Sequence, residues 1–266
     1  MHPLTVWRTA LSRQNVRRLA VADYRHVPNP SHHFNFDEGE GSVVRDSALG
    51  SDARAHFGPA PAYVRSPAAP SLERRPWDAL YLDASAGRVD VADSPRLRKL
   101  YEGSFTMQMW FNVRTGPSPG QEALVFGNDR NGTASGSFNL WLTSNLVTSN
   151  LELRLAYQSS ASATEEHRFT KPEEILKRDR WYHIAAQRDV GDGVMRVFVD
   201  GAAWSALDAS ADDDHLLGAT IDSGLGLTLG PGGAGCEALM ADFQAYAFAA
   251  PPAFPTGANA RLRQGC

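Results

Sequence analysis

Hydrolytic and nucleotide chemistry each need a minimum set of parts, and most of those sets are missing from these 266 residues. No Gly-x-Ser-x-Gly elbow, phosphate-cradling glycine loop or HExxH helix occurs, which removes the common nucleophilic, nucleotide and zinc-protease classes. The adjacent pair His32-His33 suggests a metal, but neighbouring strand residues point to opposite faces and do not readily share one ion. His183, inside WYHIA, reads as an imidazole held by backbone groups beside a tryptophan rather than as a base. Acids cluster at Asp37-Glu38-x-Glu40 and at Asp212-Asp213-Asp214, next to glycine or turn residues, as solvated loops do.

Six tryptophans raise a different chemistry, carbohydrate binding, which uses exposed aromatic faces and planar polar side chains. Trp110, Trp141 and Trp181 fall inside strand patterns and are expected in the core. Trp77 and Trp204 are left as the candidate ligand-binding rings, with Trp204 just past an Asp200-Gly201 turn at one end of the domain. Asn131-Gly-Thr133 fits an N-glycosylation acceptor, a triplet that matters only in a eukaryotic secretory setting.

The elements that would position these residues are mostly strands. From about Ser31 to Phe248 the dominant pattern is alternation, the period-2 signal of half-buried strands. Leu151, Leu153, Leu155 and Tyr157 interleave with Glu152, Arg154 and Gln158, which predicts one apolar face and one wet face. Phe105, Met107, Met109, Phe111 and Val113 repeat the pattern with Trp110 on the opposite face, which predicts a central strand covered on both sides. Met195, Val197 and Val199 lead into Asp200-Gly201, a dipeptide that tolerates positive φ at both positions of a type I′ hairpin turn. The best helical signal is KPEEILKR, one or two turns long, with Pro172 at a first helical position and Glu173 and Glu174 at the positive end of the dipole. Residues 50–76 are rich in Pro, Ala and Arg and are expected to form a loop with little regular structure, as is the tail after Ala250.

Length and composition set the bounds. The chain can bury a large all-β core without staples, and 42% apolar with 21% charged residues marks a globular sequence. A net charge of −4 argues against general nucleic-acid binding, which needs a concentrated basic surface. No run approaches the apolar length of a membrane helix. Residues 1–30 differ: Arg8, Arg13, Arg17, Arg18 and Arg25 crowd a segment with one acid, Asp23. That segment lacks the apolar core of a secretory signal. It is expected to be an arm that docks on a partner, with a mitochondrial-type presequence as the alternative. Trp7, Leu11 and Leu19 would give it an apolar stripe. Two cysteines, Cys236 and Cys266, are compatible with one bridge from the tail to the sandwich or with two free thiols.

The order of segments resembles the laminin G-like, concanavalin A-like jelly-roll superfamily. The resemblance runs through HFNFDEGEGSVVRDSALG, ALYLDASAGRVDVADSP, GSFTMQMWFNV, RWYHIAAQRDVGDGVMRVFVDG, and the closing pair LTLGPGGAG and ALMADFQAYAF. It departs at Ala238, where the family usually has Gly, and at AFAAPPAF, which replaces a usual short helix. The fold implied is an all-β antiparallel sandwich over residues 31–250, with the 1–30 arm before it and a 251–266 tail after it. The family includes glucanases, whose carboxylates alternate along one strand face as in Glu-x-Asp-x-x-Glu; this chain has no such element, so no enzyme activity is expected. Calcium at the rim of related sandwiches makes Asp129, Asp212 and Asp214 candidate ligands. A Cys236–Cys266 bridge is similarly implied by the C-terminal disulfide of laminin G domains.

These readings converge on a non-catalytic structural or binding module. Its arm would attach it to protein subunits of a larger assembly, either a phage virion as a decoration or tail protein, or a large complex as an accessory subunit, the mitochondrial case included. The alternative is a carbohydrate-binding, lectin-like module. A virion or large complex is favoured over classical secretion.

Overall fold

A computed structural model describes residues 30–36, 40–48, 54–57, 62–65, 78–84, 87–128, 137–158, 167–169, 176–190, 194–208, 226–231 and 235–246. Residues 1–29, those from 247 on, and those between these ranges lie outside the described residues.

Alternating apolar residues with β-branched and aromatic neighbours become strands, and Gly, Asp and Asn make the turns. In chain order the strands are β1 His32–Phe34, β2 Val43–Arg45, β3 Arg54–Phe57, β4 Ala62–Arg65, β5 Asp78–Leu82, β6 Val89–Val91, β7 Phe105–Thr115 and β8 Glu122–Gly127. There follow β9 Ser137–Ser144, β10 Leu151–Gln158, β11 His167–Phe169, β12 Trp181–Asp189, β13 Val194–Val199, β14 Ala202–Asp208, β15 Leu227–Leu229 and β16 Glu237–Tyr246. The described pairings are antiparallel and form two sheets. The first runs β14-β13-β12-β7-β16-β5-β4, with β1 also on β16; the second runs β11-β10-β9-β8-β15-β6-β3-β2.

The two sheets bury a common core between them. Phe105, Met107, Met109, Phe111 and Val113 of β7 face Phe138, Leu140 and Leu142 of β9 and Leu151, Leu153 and Leu155 of β10 in one cluster. Aromatic edges lock it: Phe105 meets Phe138 edge-on at 4.7 Å, and Phe126 meets Phe243 at 5.9 Å. As the alternation requires, β7 is central, with β12 on one side and β16 on the other. The Asp200-Gly201 turn forms as expected, with φ of 52° and 75° at its two corners.

Two expectations are corrected. Residues 50–76 contain regular structure, because β3 pairs with β2 and β6 while β4 pairs with β5. The face of β10 expected to be wet is covered, since Glu152 and Arg154 are buried. The helix α1 spans Pro95–Tyr101, capped by Ser94, whose hydroxyl accepts from Leu97 N, with Pro95 at the first helical position. Part of KPEEILKR lies outside the described residues; from Leu176 onward it makes a bridge to Leu151 and then a turn.

Helix α1 is pinned by an arginine that points into the core. Arg188, on the inward face of β12 opposite Phe105, donates from one terminal nitrogen to the carbonyls of Tyr101 and Gly103. The fixed positive charge sits where the helix leaves its last carbonyls without partners.

Candidate functional site

Inward-facing residues of β7 leave Thr106, Gln108, Trp110 and Asn112 on its other face. The β12 register sets Trp181 opposite Asn112, His183 opposite Trp110, and Gln187 opposite Thr106. On the other flank β16 places Leu239 beside Asn112 and Ala241 beside Trp110, and β5 sets Tyr81 beside Leu239. Trp110, Trp181, Leu239, Ala241 and Ala79 therefore form a second apolar cluster, separate from the core between the sheets, with Tyr81 packed against it.

The two ends of this outer face treat their polar groups differently. At one end the groups are engaged: Gln187 donates to the Thr106 hydroxyl at 3.3 Å, and Arg196 donates to Gln187 and pairs with Asp189. In the middle, the His183 ring meets Trp110 edge-on at 5.2 Å. The backbone of His183 is clamped by Asp200, whose carboxylate accepts from His183 N while Asp200 N donates to His183 O. At the other end, Trp181 Nε1 and Asn112 Oδ1 are buried with no hydrogen-bond partner among the described residues. One is a donor and one an acceptor, on directly opposed residues whose side chains are about 5 Å apart at Cβ. An orphaned pair of this kind costs about 1–3 kcal/mol per group unless something outside the protein satisfies it.

The rim beside that pair is polar. Thr115 donates to Glu237 at 2.9 Å, and Arg114 pairs with Asp179. Burial, and then the neighbouring Glu237 carboxylate, push the Tyr81 hydroxyl above its ordinary pKa.

On the outer face of the second sheet, Trp141 lies between Leu124 and Arg154 in the β8-β9-β10 register. The Arg154 guanidinium sits 5.8 Å above the Trp141 ring and is ion-paired with Glu122. Glu152 accepts from Asn145. These carboxylates are thus engaged in a polar lattice that closes over a tryptophan.

The expected burial of Trp110, Trp141 and Trp181 holds, but none of the three belongs to the cluster between the sheets. Trp204 lies on the edge strand β14, at the bulge where the register with β13 shifts between Val197 and Phe198; its side chain is outside the described residues. Trp77, Asp129, Asp212, Asp214 and Cys266 also lie outside them. Cys236 is a free, buried thiol, pushed up to about 12 by burial and then by Glu237. Among the described residues no three metal-ligating side chains gather. His32 is buried and bonded through Nδ1 to Asp46 at 2.6 Å, and the same carboxylate accepts from His33 N and Ala48 N. The residues that sequence reasoning passed over are Asn112 and Gln108. Their signal was planar amides four positions apart, each two positions from Trp110, along the face opposite the β7 core.

The described residues form a two-sheet antiparallel sandwich whose first sheet carries a tryptophan cluster on its outer face. The family model described as the concanavalin A-like lectin/glucanases superfamily matches residues 83–252, and the chain belongs to that superfamily. No curated protein matches the chain in sequence. Among solved structures, the binding domain of Paraclostridial Mosquitocidal Protein 1 is similar at 12% identity and TM-score 0.63, over 84% of this chain and 50% of that one. A botulinum neurotoxin type C structure, reported for its interaction with two ganglioside molecules, is similar at 11% identity and TM-score 0.59, over 84% and 49%. The binding domain of botulinum neurotoxin DC in complex with SialylT is similar at 14% identity and TM-score 0.59, again over 84% and 49%. This chain spans about half the length of those domains, and at such identities the likeness is one of fold.

Proposed function

We propose that the protein is a non-catalytic glycan-binding module that engages ligand at the Asn112–Trp181 end of the first sheet's outer face. The observation that carries this reading is the buried, opposed donor and acceptor set among Trp110, Trp181 and Tyr81. A sugar hydroxyl both accepts and donates, so one hydroxyl satisfies Trp181 Nε1 and Asn112 Oδ1 together, while the rings beside them pack on the apolar face of a pyranose. The reading draws support from the superfamily, which includes lectins, and from similar folds in domains described with SialylT and gangliosides.

A screen on immobilised glycans tests it, comparing wild type with Trp181→Phe, Asn112→Leu and Trp204→Ala. Saturable binding lost in the first two and kept in the third supports the reading. Loss only in Trp204→Ala moves the site to the β14 edge, and turnover of any glycan overturns the non-catalytic assignment.

A second reading is favoured by the arginine-rich composition of residues 1–25. In it the arm attaches the sandwich to protein subunits of a larger assembly, a virion or an organelle complex. Comparing the full chain with one lacking residues 1–30, by native mass and co-purification, separates the two. Rim calcium at Asp129, Asp212 or Asp214 is tested in the same preparations by metal analysis.

A further inference from the structure

We propose that the end of the sandwich bearing the β9–β10 hairpin tip is a docking surface for an anionic lipid membrane. The tip presents Leu146 and Val147, which are 74% and 90% exposed; the third large apolar residue on the described surface, Val190, is exposed by 37%. Single exposed apolar residues are ordinary, whereas two adjacent ones at the summit of a turn form a wedge.

The exposure is held in place by the local structure. Asn145 N donates to Asn150 O and Ser149 N to Asn145 O, closing the turn. The Asn145 side-chain oxygen accepts from Val147 N and Thr148 N, at 2.9 and 3.0 Å, while its amide reaches Glu152. Ser149 takes a left-handed conformation, φ 56°, to complete the turn. A loop so completely bonded through one side chain keeps Leu146 and Val147 facing outward, which lowers the ordering cost of inserting them.

Cations stand beside the wedge. Leu176 bridges Leu151, the first residue after the tip, so Lys177 and Arg178 emerge at the same end of the sandwich. Both are exposed, and neither has an ion pair among the described residues. The neighbouring charges are matched: Arg114 with Asp179, Arg180 with Asp200, and Arg154 with Glu122. Glu152 is buried, and Glu237 is bonded to Thr115. Among the described residues the exposed cations Lys177 and Arg178 outweigh the Glu237 carboxylate, whose bond is to a neutral hydroxyl, and a protruding apolar tip flanked by cations fits a headgroup layer carrying anionic lipid.

The test is flotation of the full-length chain with vesicles of phosphatidylcholine alone, or with about one third phosphatidylserine. Wild type should float with the anionic vesicles and much less with the neutral ones. The double substitution Leu146→Ser/Val147→Ser should weaken partitioning about tenfold, with an unchanged melting temperature because both side chains are exposed. Lys177→Gln/Arg178→Gln should weaken binding to anionic vesicles by about tenfold and flatten its salt dependence. Absence of flotation, or equal flotation by the double serine variant, overturns the proposal; in the latter case binding runs through another part of the chain, such as residues 1–30. Loss of self-association in the serine variant, without vesicle binding by wild type, also overturns it and marks the tip as a protein contact.

Discussion

The two faces of β7 carry the same backbone and the same central position, yet they do opposite things. Its inward residues, from Phe105 to Val113, pack in one cluster with the apolar residues of β9 and β10, and rings close on one another edge to face. Its outward residues mix tryptophan with Thr, Gln and Asn, and where that face ends, a donor and an acceptor have no partner among the described residues. Stability is concentrated on the first face. The second face gives up some stability to hold polar atoms ready, which is the signature expected where a ligand completes the protein.

The sharpest way to break this contrast is to damage the inward face. Phe138→Ala empties a fully buried aromatic site against Phe105 and Phe126 and should cost about 3–5 kcal/mol in chemical denaturation. A cost near zero would mean that the sheets do not share one core. Arg188→Met comes next, at about 2–3 kcal/mol, because it strips two charge-assisted hydrogen bonds from the carbonyls at the end of α1. Hydrogen exchange should localise that loss to residues 95–103. Equal protection of those amides in the variant would remove Arg188 from its role as the helix anchor.

Cys236 gives the same face a pH dependence. Its thiol titrates at about 12 in the folded protein but near its ordinary value of about 8.5 once unfolded. The stability this contributes is complete below the unfolded value and is lost as pH rises toward the folded one, because the unfolded chain gives up its proton first. Wild type should therefore lose about 3 kcal/mol more than Cys236→Ala between roughly pH 8 and pH 11. The native thiol should also resist alkylation at neutral pH until denaturant is added. Parallel stability curves for the two proteins would show that Cys236 is not in the environment described.

Much of this was legible from side-chain period. Alternation located β7, β10, β13 and β15, and Asp200-Gly201 located the hairpin tip after β13, since each depends on local spacing alone. The short strands β3 and β4 were hidden because Pro, Ala and Arg carry little strand signal, and their pairing with β2, β5 and β6 is decided by tertiary contact. Helix α1 was missed: the cap-and-proline pair Ser94-Pro95 went unread, and seven residues are too few to show a period. The site was half legible. Composition drew attention to tryptophan, yet burial on an outer face, as opposed to burial between sheets, depends on which residues lie opposite across β12 and β16. Only the register brings Asn112 and Trp181 together.

The smallest effect on stability tests the comparison most directly. Asn112→Leu replaces an orphaned acceptor by an apolar side chain of similar size, beside Leu239 and Trp181. Removing an unsatisfied buried group offsets the disturbance to packing, so the melting curve should stay within about 1 kcal/mol of wild type or rise. The same change deletes half of the donor–acceptor pair, so glycan binding should fall about tenfold or more. A protein that keeps its stability and loses its ligand places function on the outward face of β7. If instead Asn112→Leu unfolds the sandwich as Phe138→Ala does, the amide is bonded within the protein, and the two faces share one structural task.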